Sequence, residues 1–305
     1  MSAASTPSRE PAGRARARPA DPRHRTFLGL SLPATAALLA FIVAPIVLMV
    51  SLSFHAELTR DLLGPFAPTL KHYQQAASVE DFWTILRTSA VMAFVVAVVA
   101  TGLAYPVAYF LAFRAGPRAG TYLILLLVPF WTSYLLRVMA WKLILGSSGV
   151  INEVLTGVGL IDEPIKALLY NRNTVVVTLI YVWIPFATLP ILAVLGRIDV
   201  RLHDAASDLY ASGFQQFIRV TLPLSVPGLI AAFLMVFIPT VGEYVTPLLV
   251  GGTSGIMYGN LIQDFFTKSA NWPLGSALSV IMLIVTIALV AIGIRIVQPR
   301  RLLGN

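Results

Sequence analysis

The chain has 305 residues, of which 57% are hydrophobic and 12% are charged. Soluble domains carry about 25% charged residues, so this composition excludes an ordinary soluble protein and predicts an integral membrane protein. The net charge of +8 does not indicate a nucleic-acid partner, because the arginines flank apolar segments instead of sharing one folded face. The absence of cysteine excludes disulfides and thiolate metal sites.

Residues 1–26 are rich in Ala, Pro, Ser and Arg and are predicted to form a disordered basic tail. An apolar run, residues 27–54, is the predicted first transmembrane helix, because about 20 apolar residues cross a hydrocarbon core about 30 Å thick. Residues 82–297 are predicted to hold the remaining spans, and residues 298–305 form a second short tail. The further apolar runs are Thr88–Phe113, Thr121–Gly146, Asn173–Gly196, Leu222–Gly242 and Pro273–Ile294.

These runs are interpreted as helices, because a spanning backbone must satisfy its hydrogen bonds internally and the alternation of barrel strands is absent. We therefore predict an all-α membrane protein with six transmembrane helices. Arginines concentrate near the two ends and in segments 114–118 and 197–219, whereas most acids lie in the intervening loops. The positive-inside rule then predicts that both termini face the cytoplasm.

The sequence offers no recognisable catalytic chemistry. The lysines lack the glycine-rich approach by which a phosphate-binding loop cradles a nucleotide. The four histidines lie scattered near segment ends, and no acidic cluster lies within a span. We therefore expect no catalytic residue, no metal site and no cofactor bound by this chain.

The most informative segment is the loop of residues 196–223, between the fourth and fifth spans. Leu202–Tyr210 is predicted to form a short helix in which Ala205, Ala206 and Leu209 make a flat patch. Asp204 and Asp208, spaced i,i+4, flank that patch. Small side chains allow another protein to approach closely, so the patch is typical of a docking surface. The alternative is an ordinary interfacial helix.

After the patch, Gly213 is predicted to allow a turn into a second short helix, Phe214–Thr221. Leu222 and Pro223 then redirect the chain into the fifth span. Two short helices joined by a turn make a compact element that a moving partner protein is able to hold.

The residues Asp204-Ala205-Ala206, Val220 and Leu222-Pro223 together resemble the "EAA" coupling loop of permease subunits in ATP-binding-cassette importers. Tyr210 stands where that family usually has glycine, which makes Gly213 the expected hinge. The resemblance implies that a separate ATPase, carrying ATP and Mg, docks on this loop. The implied coupling residues are Asp204, Ala205, Ala206, Asp208, Leu209, Gly213, Leu222 and Pro223.

Further segments resemble the spermidine/putrescine subfamily of these permeases, and they are Pro129–Arg137, Gly149–Asn152, Gly242–Pro247, Met257–Ile262 and Asn271–Ala277. Permeases for ferric iron, phosphonates and opine-like or amino-acid-like compounds share parts of the pattern, so another small solute is the alternative cargo. The resemblance implies a type I permease fold in the bacterial inner membrane that works by alternating access. Its implied partners are a second permease subunit, two ATPase subunits and a periplasmic binding protein.

Glu243 is the single acid set within the apolar spans. A polycation's path should offer carboxylates and aromatic faces, so the candidate path residues are Glu243, Tyr244, Trp131, Tyr134 and Trp141. The alternative for Glu243 is an ion pair with Arg137 or Lys142, and the alternative for the aromatic residues is packing or the interfacial belt.

Two functions of other classes remain open from the residues alone. An ion-coupled secondary transporter needs intramembrane ion ligands, and Glu243 is the single candidate. A membrane scaffold would tolerate changes throughout the 196–223 loop.

Overall fold

The computed structural model describes residues 22–55, 68–165 and 168–297. The first 21 residues of the predicted N-terminal tail and the predicted tail 298–305 lie outside the described residues. Every regular element in the described ranges is helical, apart from an isolated bridge between His55 and Pro68. The predicted all-α class and the number of spans are confirmed, because six described segments are long and apolar enough to cross a membrane. These segments are Thr35–Ser53, Glu80–Phe113, Tyr134–Gly157, Arg172–Leu195, Gly213–Val241 and Trp272–Arg295.

Helix α1 runs from Pro22 to Ser53 and so begins inside the segment predicted to be a disordered tail. The chain divides into two units after Leu48, and the first unit contains most of α1. Its described side chains from Thr35 to Leu48 are exposed. A helix that is apolar on all sides is what a hydrocarbon environment stabilises.

The core of the second unit is a packing of three long helices, α3 (Glu80–Phe113), α7 (Arg172–Leu195) and α10 (Leu222–Val241). Small residues let these helices approach closely, as is common in membrane bundles. A Cβ added at Gly228 of α10 would lie 3.0 Å from the Val194 side chain and 3.1 Å from the Pro190 carbonyl oxygen of α7. On α3 the fully buried small residues recur at helical spacing, and they are Ala93, Ala97, Ala100, Ala104 and Ala108.

The third apolar run is not one helix, so the prediction of a continuous span over Thr121–Gly146 is wrong. Helix α4 (Ala119–Leu127) passes into a 3₁₀ turn at Val128–Trp131, and α5 (Tyr134–Leu145) begins only after an extended link. Pro129 lies in the turn and lacks a backbone N–H, which favours the interruption. A short helix, α6 (Val150–Gly157), follows α5.

A second apolar cluster joins α2 (Lys71–Ser78), α11 (Tyr258–Thr267) and α12 (Trp272–Val297) to the first turns of α3. Its buried members are Ala76, Leu86, Tyr258, Leu274 and Leu278. The Tyr258 backbone N–H also donates to the Ser89 hydroxyl at 2.7 Å. These contacts fix α11 against α3, close to the residues that follow α10.

The loop between α7 and α10 holds two short helices, α8 (Arg201–Asp208) and α9 (Gly213–Gln216). A π turn, Phe217–Thr221, connects α9 directly to α10. The chain from Gly213 to Val241 is therefore continuously helical over 29 residues. We call residues 201–221 the α8–α9 hairpin.

Candidate functional site

The turn of the α8–α9 hairpin lies at Tyr210, which adopts the left-handed region with φ of 58°. Tyr210 N–H donates to the Ser207 carbonyl at 2.9 Å, and Ala211 N–H donates to the Ala206 carbonyl at 3.0 Å. This pair of bonds is the Schellman ending of a helix, in which glycine usually takes the left-handed position. For a side-chain-bearing residue that conformation costs about 1–2 kcal/mol.

The prediction that Gly213 is the hinge is therefore wrong. Gly213 is the first residue of α9, and its helix is capped by Ser212, whose hydroxyl accepts from the Gln215 N–H at 3.3 Å. The Gln215 side chain accepts in return from the Ser212 N–H at 3.0 Å. The hydrogen bonds at the end of α8 place the reversal of the chain at Tyr210, before Gly213. Residue type alone does not show these bonds.

The hairpin is fixed to the helical bundle on its inner side. His203 Nε2 lies 2.9 Å from the Thr221 hydroxyl, and its ring meets the edge of Phe113 of α3 with centroids 5.2 Å apart. Phe217 packs against Tyr105 and Tyr109 of α3 in edge contacts. The hairpin is thus in contact with α3 and with the start of α10.

The two halves of the hairpin are also joined to each other. Gln216 Nε2 donates to the Ser207 hydroxyl at 2.9 Å and to the Ala211 carbonyl at 3.1 Å. Sequence reasoning did not assign a role to Gln216, Phe217 or His203. The signal it missed is that His203 and Ala206, spaced i,i+3, share the less exposed face of α8.

The outer side of the hairpin carries most of the predicted docking residues. Asp204, Ala205 and Asp208 are exposed, whereas Ala206 and Leu222 are half-buried and Pro223 is exposed at the start of α10. The most exposed of the large apolar side chains in the hairpin lie around its turn. Leu209 is 81% exposed, Tyr210 97% and Phe214 72%.

Glu243 lies just after the last residue of α10, in the segment of residues 242–251 that we call the Glu243 segment. Its Oε1 accepts from the Val245 N–H at 2.8 Å and from the Thr246 N–H at 3.2 Å. The carboxylate therefore caps the turn that leads into a π turn at Pro247–Gly251. Capping by an acid satisfies backbone donors that have no helical partner.

Tyr134, at the start of α5, joins this cap. Its hydroxyl lies 2.6 Å from the Thr246 hydroxyl, and the same phenol lies beside the Glu243 carboxylate. The structure thus brings together Tyr134 and Glu243, two of the five predicted path residues.

The alternative ion pair of Glu243 with Arg137 or Lys142 is not formed. Arg137 Nη1 donates to the Phe130 carbonyl at 2.9 Å and to the Thr132 carbonyl at 3.1 Å. These carbonyls are free because the third span is interrupted at Thr132, and they hold the guanidinium in place of an acid. Lys142 instead lies over the Tyr170 ring, 5.8 Å from its centroid.

Of the other predicted path residues, Tyr244 directly follows Glu243, whereas the two tryptophans make their contacts elsewhere. Trp131 is 82% exposed, and Trp141 packs against Tyr181 with centroids 5.4 Å apart. Tyr244 is partly exposed, and its carbonyl accepts from Asn260 Nδ2 at 2.7 Å. Within the described ranges, no hydrogen bond or ring contact joins Trp131 or Trp141 to Glu243.

Helix α11 supports the Glu243 segment, and sequence reasoning missed this role. A Cβ at Gly259 would lie 2.5 Å from the Gly242 carbonyl oxygen and 2.7 Å from that of Glu243, so only glycine fits. The polar Asn260 in an otherwise apolar stretch is the signal that was available, because a buried amide requires partners.

Comparison with known proteins identifies the family and the relatives that this chain resembles. A family model described as "Binding-protein-dependent transport system inner membrane component" matches residues 26–302. The spermidine/putrescine transport system permease protein PotB of Escherichia coli (strain K12) is 35% identical over 250 residues, which are 81% of this chain and 89% of that protein.

Two solved structures share the fold. One chain of a bacterial ABC transporter involved in the import of the acidic polysaccharide alginate has a TM-score of 0.72 at 14% identity, over 92% of this chain and 97% of that chain. The alginate transporter in complex with its alginate pentasaccharide-bound periplasmic protein gives a TM-score of 0.69 at 15% identity, over 89% and 93% of the two chains. At these identities the likeness concerns the fold alone.

Proposed function

The chain belongs to the family of binding-protein-dependent transport system inner membrane components, and on that premise we propose that its cargo is a polyamine such as spermidine or putrescine. As a member of this family it is a multi-pass permease of an ABC importer and not an enzyme. Membership sets aside the ion-coupled transporter and the scaffold as alternatives.

The observation that carries the cargo proposal is the pairing of Glu243 with Tyr134. A polyamine is a flexible polycation, which is attracted by a carboxylate and by the faces of aromatic rings. Glu243 is half-buried and has no cationic partner among the described residues. Its negative charge therefore remains available to a cationic cargo. The 35% identity to a spermidine/putrescine permease supports the same cargo.

The coupling part of the proposal rests on the hairpin. We infer that the α8–α9 hairpin faces the cytoplasm with both termini and receives an ATPase subunit that binds ATP and Mg. The complete importer then contains a second permease subunit, two ATPase subunits and a periplasmic binding protein in the bacterial inner membrane. Closure of the ATPases on the hairpins switches the path between its outward and inward openings.

The cargo is tested by uptake of labelled spermidine and putrescine into cells that lack this chain and carry the wild type or a Glu243→Gln variant. The glutamine keeps an oxygen that accepts from Val245 and Thr246 but removes the charge. We expect roughly tenfold or greater loss of uptake with little change in melting temperature, because about 1.4 kcal/mol of lost attraction is tenfold.

Asp264→Asn, which removes a charge in an exposed ion pair with Lys268, is the matched control and should leave uptake unchanged. Normal polyamine uptake after deletion of the chain, in cells without another polyamine importer, would reject the cargo. The importer would then carry another small solute, such as ferric iron, a phosphonate, or an opine-like or amino-acid-like compound.

Coupling is tested separately with Asp204→Lys. Asp204 is exposed in the first turn of α8, so the charge reversal should alter the docking surface more than the fold. We expect uptake to fall by roughly tenfold or more, in the range found for interface charges, while ATP hydrolysis continues without transport. Asp162→Lys, at another exposed acid, should have no effect, and equal uptake in both variants would remove the hairpin from the coupling path.

A further inference from the structure

Three non-glycine residues among those described adopt positive φ, and they are Tyr170, Tyr210 and Ala270. Such conformations are unfavourable for residues with a Cβ and persist where something else compensates for them. Tyr210 takes the position that glycine usually takes in this helix ending. The left-handed backbone of Tyr210 therefore carries an energetic cost that a glycine would not have.

Tyr170 has compensating contacts inside the protein. A Cβ on Gly252 would lie 2.6 Å from the Tyr170 carbonyl oxygen, so the two backbones are closely packed. The Tyr170 ring also receives the ammonium group of Lys142. The unusual backbone of Tyr170 is therefore stabilised by its surroundings.

Tyr210 has no comparable contacts. Its side chain is 97% exposed, and in the part of the chain that the structure describes its phenol makes no hydrogen bond and its ring no aromatic contact. The left-handed backbone directs this side chain away from the bundle while its N–H still closes α8. No contact among the described residues therefore compensates for the backbone of Tyr210, and its side chain is free to meet a partner protein.

Tyr210 stands in an apolar tip with Leu209 and Phe214, which are also exposed. A rigid aromatic side chain surrounded by apolar neighbours is typical of residues that carry most of the binding energy at an interface. Asp208, directly before Leu209, is the charged residue nearest to the tip, and Arg201 and Arg219 lie at the far ends of the hairpin. A carboxylate beside the tip opposes contact with anionic lipid headgroups and favours a protein partner.

We propose that Tyr210 is the anchor residue by which this permease binds its ATPase subunit, with its ring in an apolar pocket of that subunit and Leu209 and Phe214 around the rim. This inference rests on the proposed function and adds a residue that determines the choice of ATPase. A glycine at this position would give the better backbone but would provide no anchor. Stability and ATPase binding are therefore opposed at residue 210.

The test is the Tyr210→Gly variant in the complete importer, reconstituted in nanodiscs. Relief of the backbone strain should keep or raise the melting temperature of the permease. Loss of the anchor should weaken ATPase binding by roughly thirtyfold, the usual size of a truncated hot spot, and cargo-stimulated ATP hydrolysis should fall with it. Tyr210→Phe, which keeps the ring, should retain most of the affinity.

Ala270→Gly is the matched control, because it relieves a left-handed residue outside the hairpin. It should raise stability in the same way and leave ATPase affinity unchanged. Unchanged affinity in Tyr210→Gly would overturn the anchor, and if Asp204→Lys still uncouples transport, the docking role of the hairpin survives that failure. A Tyr210→Trp variant whose added fluorescence is quenched by brominated lipid, and not by the ATPase, would assign the tip to the bilayer surface and also overturn the proposal.

Discussion

The α8–α9 hairpin and the Glu243 segment both interrupt regular helix, but they use their polar groups in opposite ways. In the hairpin, the side chains of His203 and Gln216 bind other residues of the hairpin, whereas Leu209 and Tyr210 stand exposed. In the Glu243 segment the polar side chains bind the backbone of the segment itself. The hairpin leaves the large apolar side chains around its turn exposed, whereas the Glu243 segment leaves few polar groups without a hydrogen-bond partner.

This difference follows from the surroundings of each region. Backbone groups within apolar surroundings must find partners in the protein, because each unsatisfied group costs several kcal/mol there. A loop in water has no such requirement and is able to hold exposed side chains for a partner. Substitutions that displace the backbone of the Glu243 segment should therefore reduce stability and transport together, and those in the hairpin should reduce coupling at nearly constant stability.

The largest effect is expected for Gly259→Ala. The new Cβ would lie 2.5 Å from the Gly242 carbonyl oxygen, and overpacking of this kind costs about 1–3 kcal/mol. The displaced segment should also lose the geometry of the Glu243 cap, so both the melting temperature and uptake should fall. Gly293→Ala in α12 meets nothing within 4 Å and should be neutral. Equal behaviour of the two variants would contradict the tight contact between α11 and the Glu243 segment.

An intermediate effect is expected for Thr221→Val, which keeps the side-chain shape and removes the hydroxyl bound to His203. The lost hydrogen bond is worth about 1 kcal/mol and loosens α8 from the residue that precedes α10. We expect more ATP to be hydrolysed per molecule of cargo, with a small change in the melting temperature. Thr221→Ser, which keeps the hydroxyl, should restore the ratio, and a normal ratio in the valine variant would show that this bond does not transmit motion.

The smallest effect is expected for Gly213→Pro, although the sequence suggested that Gly213 is a hinge. Proline is favoured at the first position of a helix, and Ser212 before it already has the extended backbone, with φ of −64° and ψ of 158°, that proline requires of its neighbour. Uptake and ATP hydrolysis should stay close to wild type. A strong loss of uptake would mean that the start of α9 at Gly213 rearranges during transport.

Much of the fold was predictable, because hydropathy gives the number of spans and the position of all but the third, which lies at Tyr134–Gly157. The coupling residues proposed around Asp204 and Pro223 rest on the family pattern. In both cases the signal is local in the sequence. Residue type and spacing carry it directly.

What escaped prediction depends on backbone geometry and on hydrogen bonds that residue type alone does not specify. The break at Thr132 is stabilised by Arg137, whose guanidinium binds two freed carbonyls. The left-handed Tyr210 follows from two bonds at the end of α8. The role of Glu243 as a cap is set by the turn after α10, so its charge alone suggested an ion pair that does not form.

The continuous helix from Gly213 to Val241 is a mechanical rod. At about 1.5 Å per residue, its 29 residues make a length of roughly 40 Å. The α9 end of the hairpin and Glu243 lie at opposite ends of this rod, so a tilt of about 5° around one end moves the other by roughly 3–4 Å. Such a displacement exceeds the 2.6 Å between the Tyr134 and Thr246 hydroxyls. A small rotation imposed at the hairpin is therefore large enough to separate the Glu243 segment from α5.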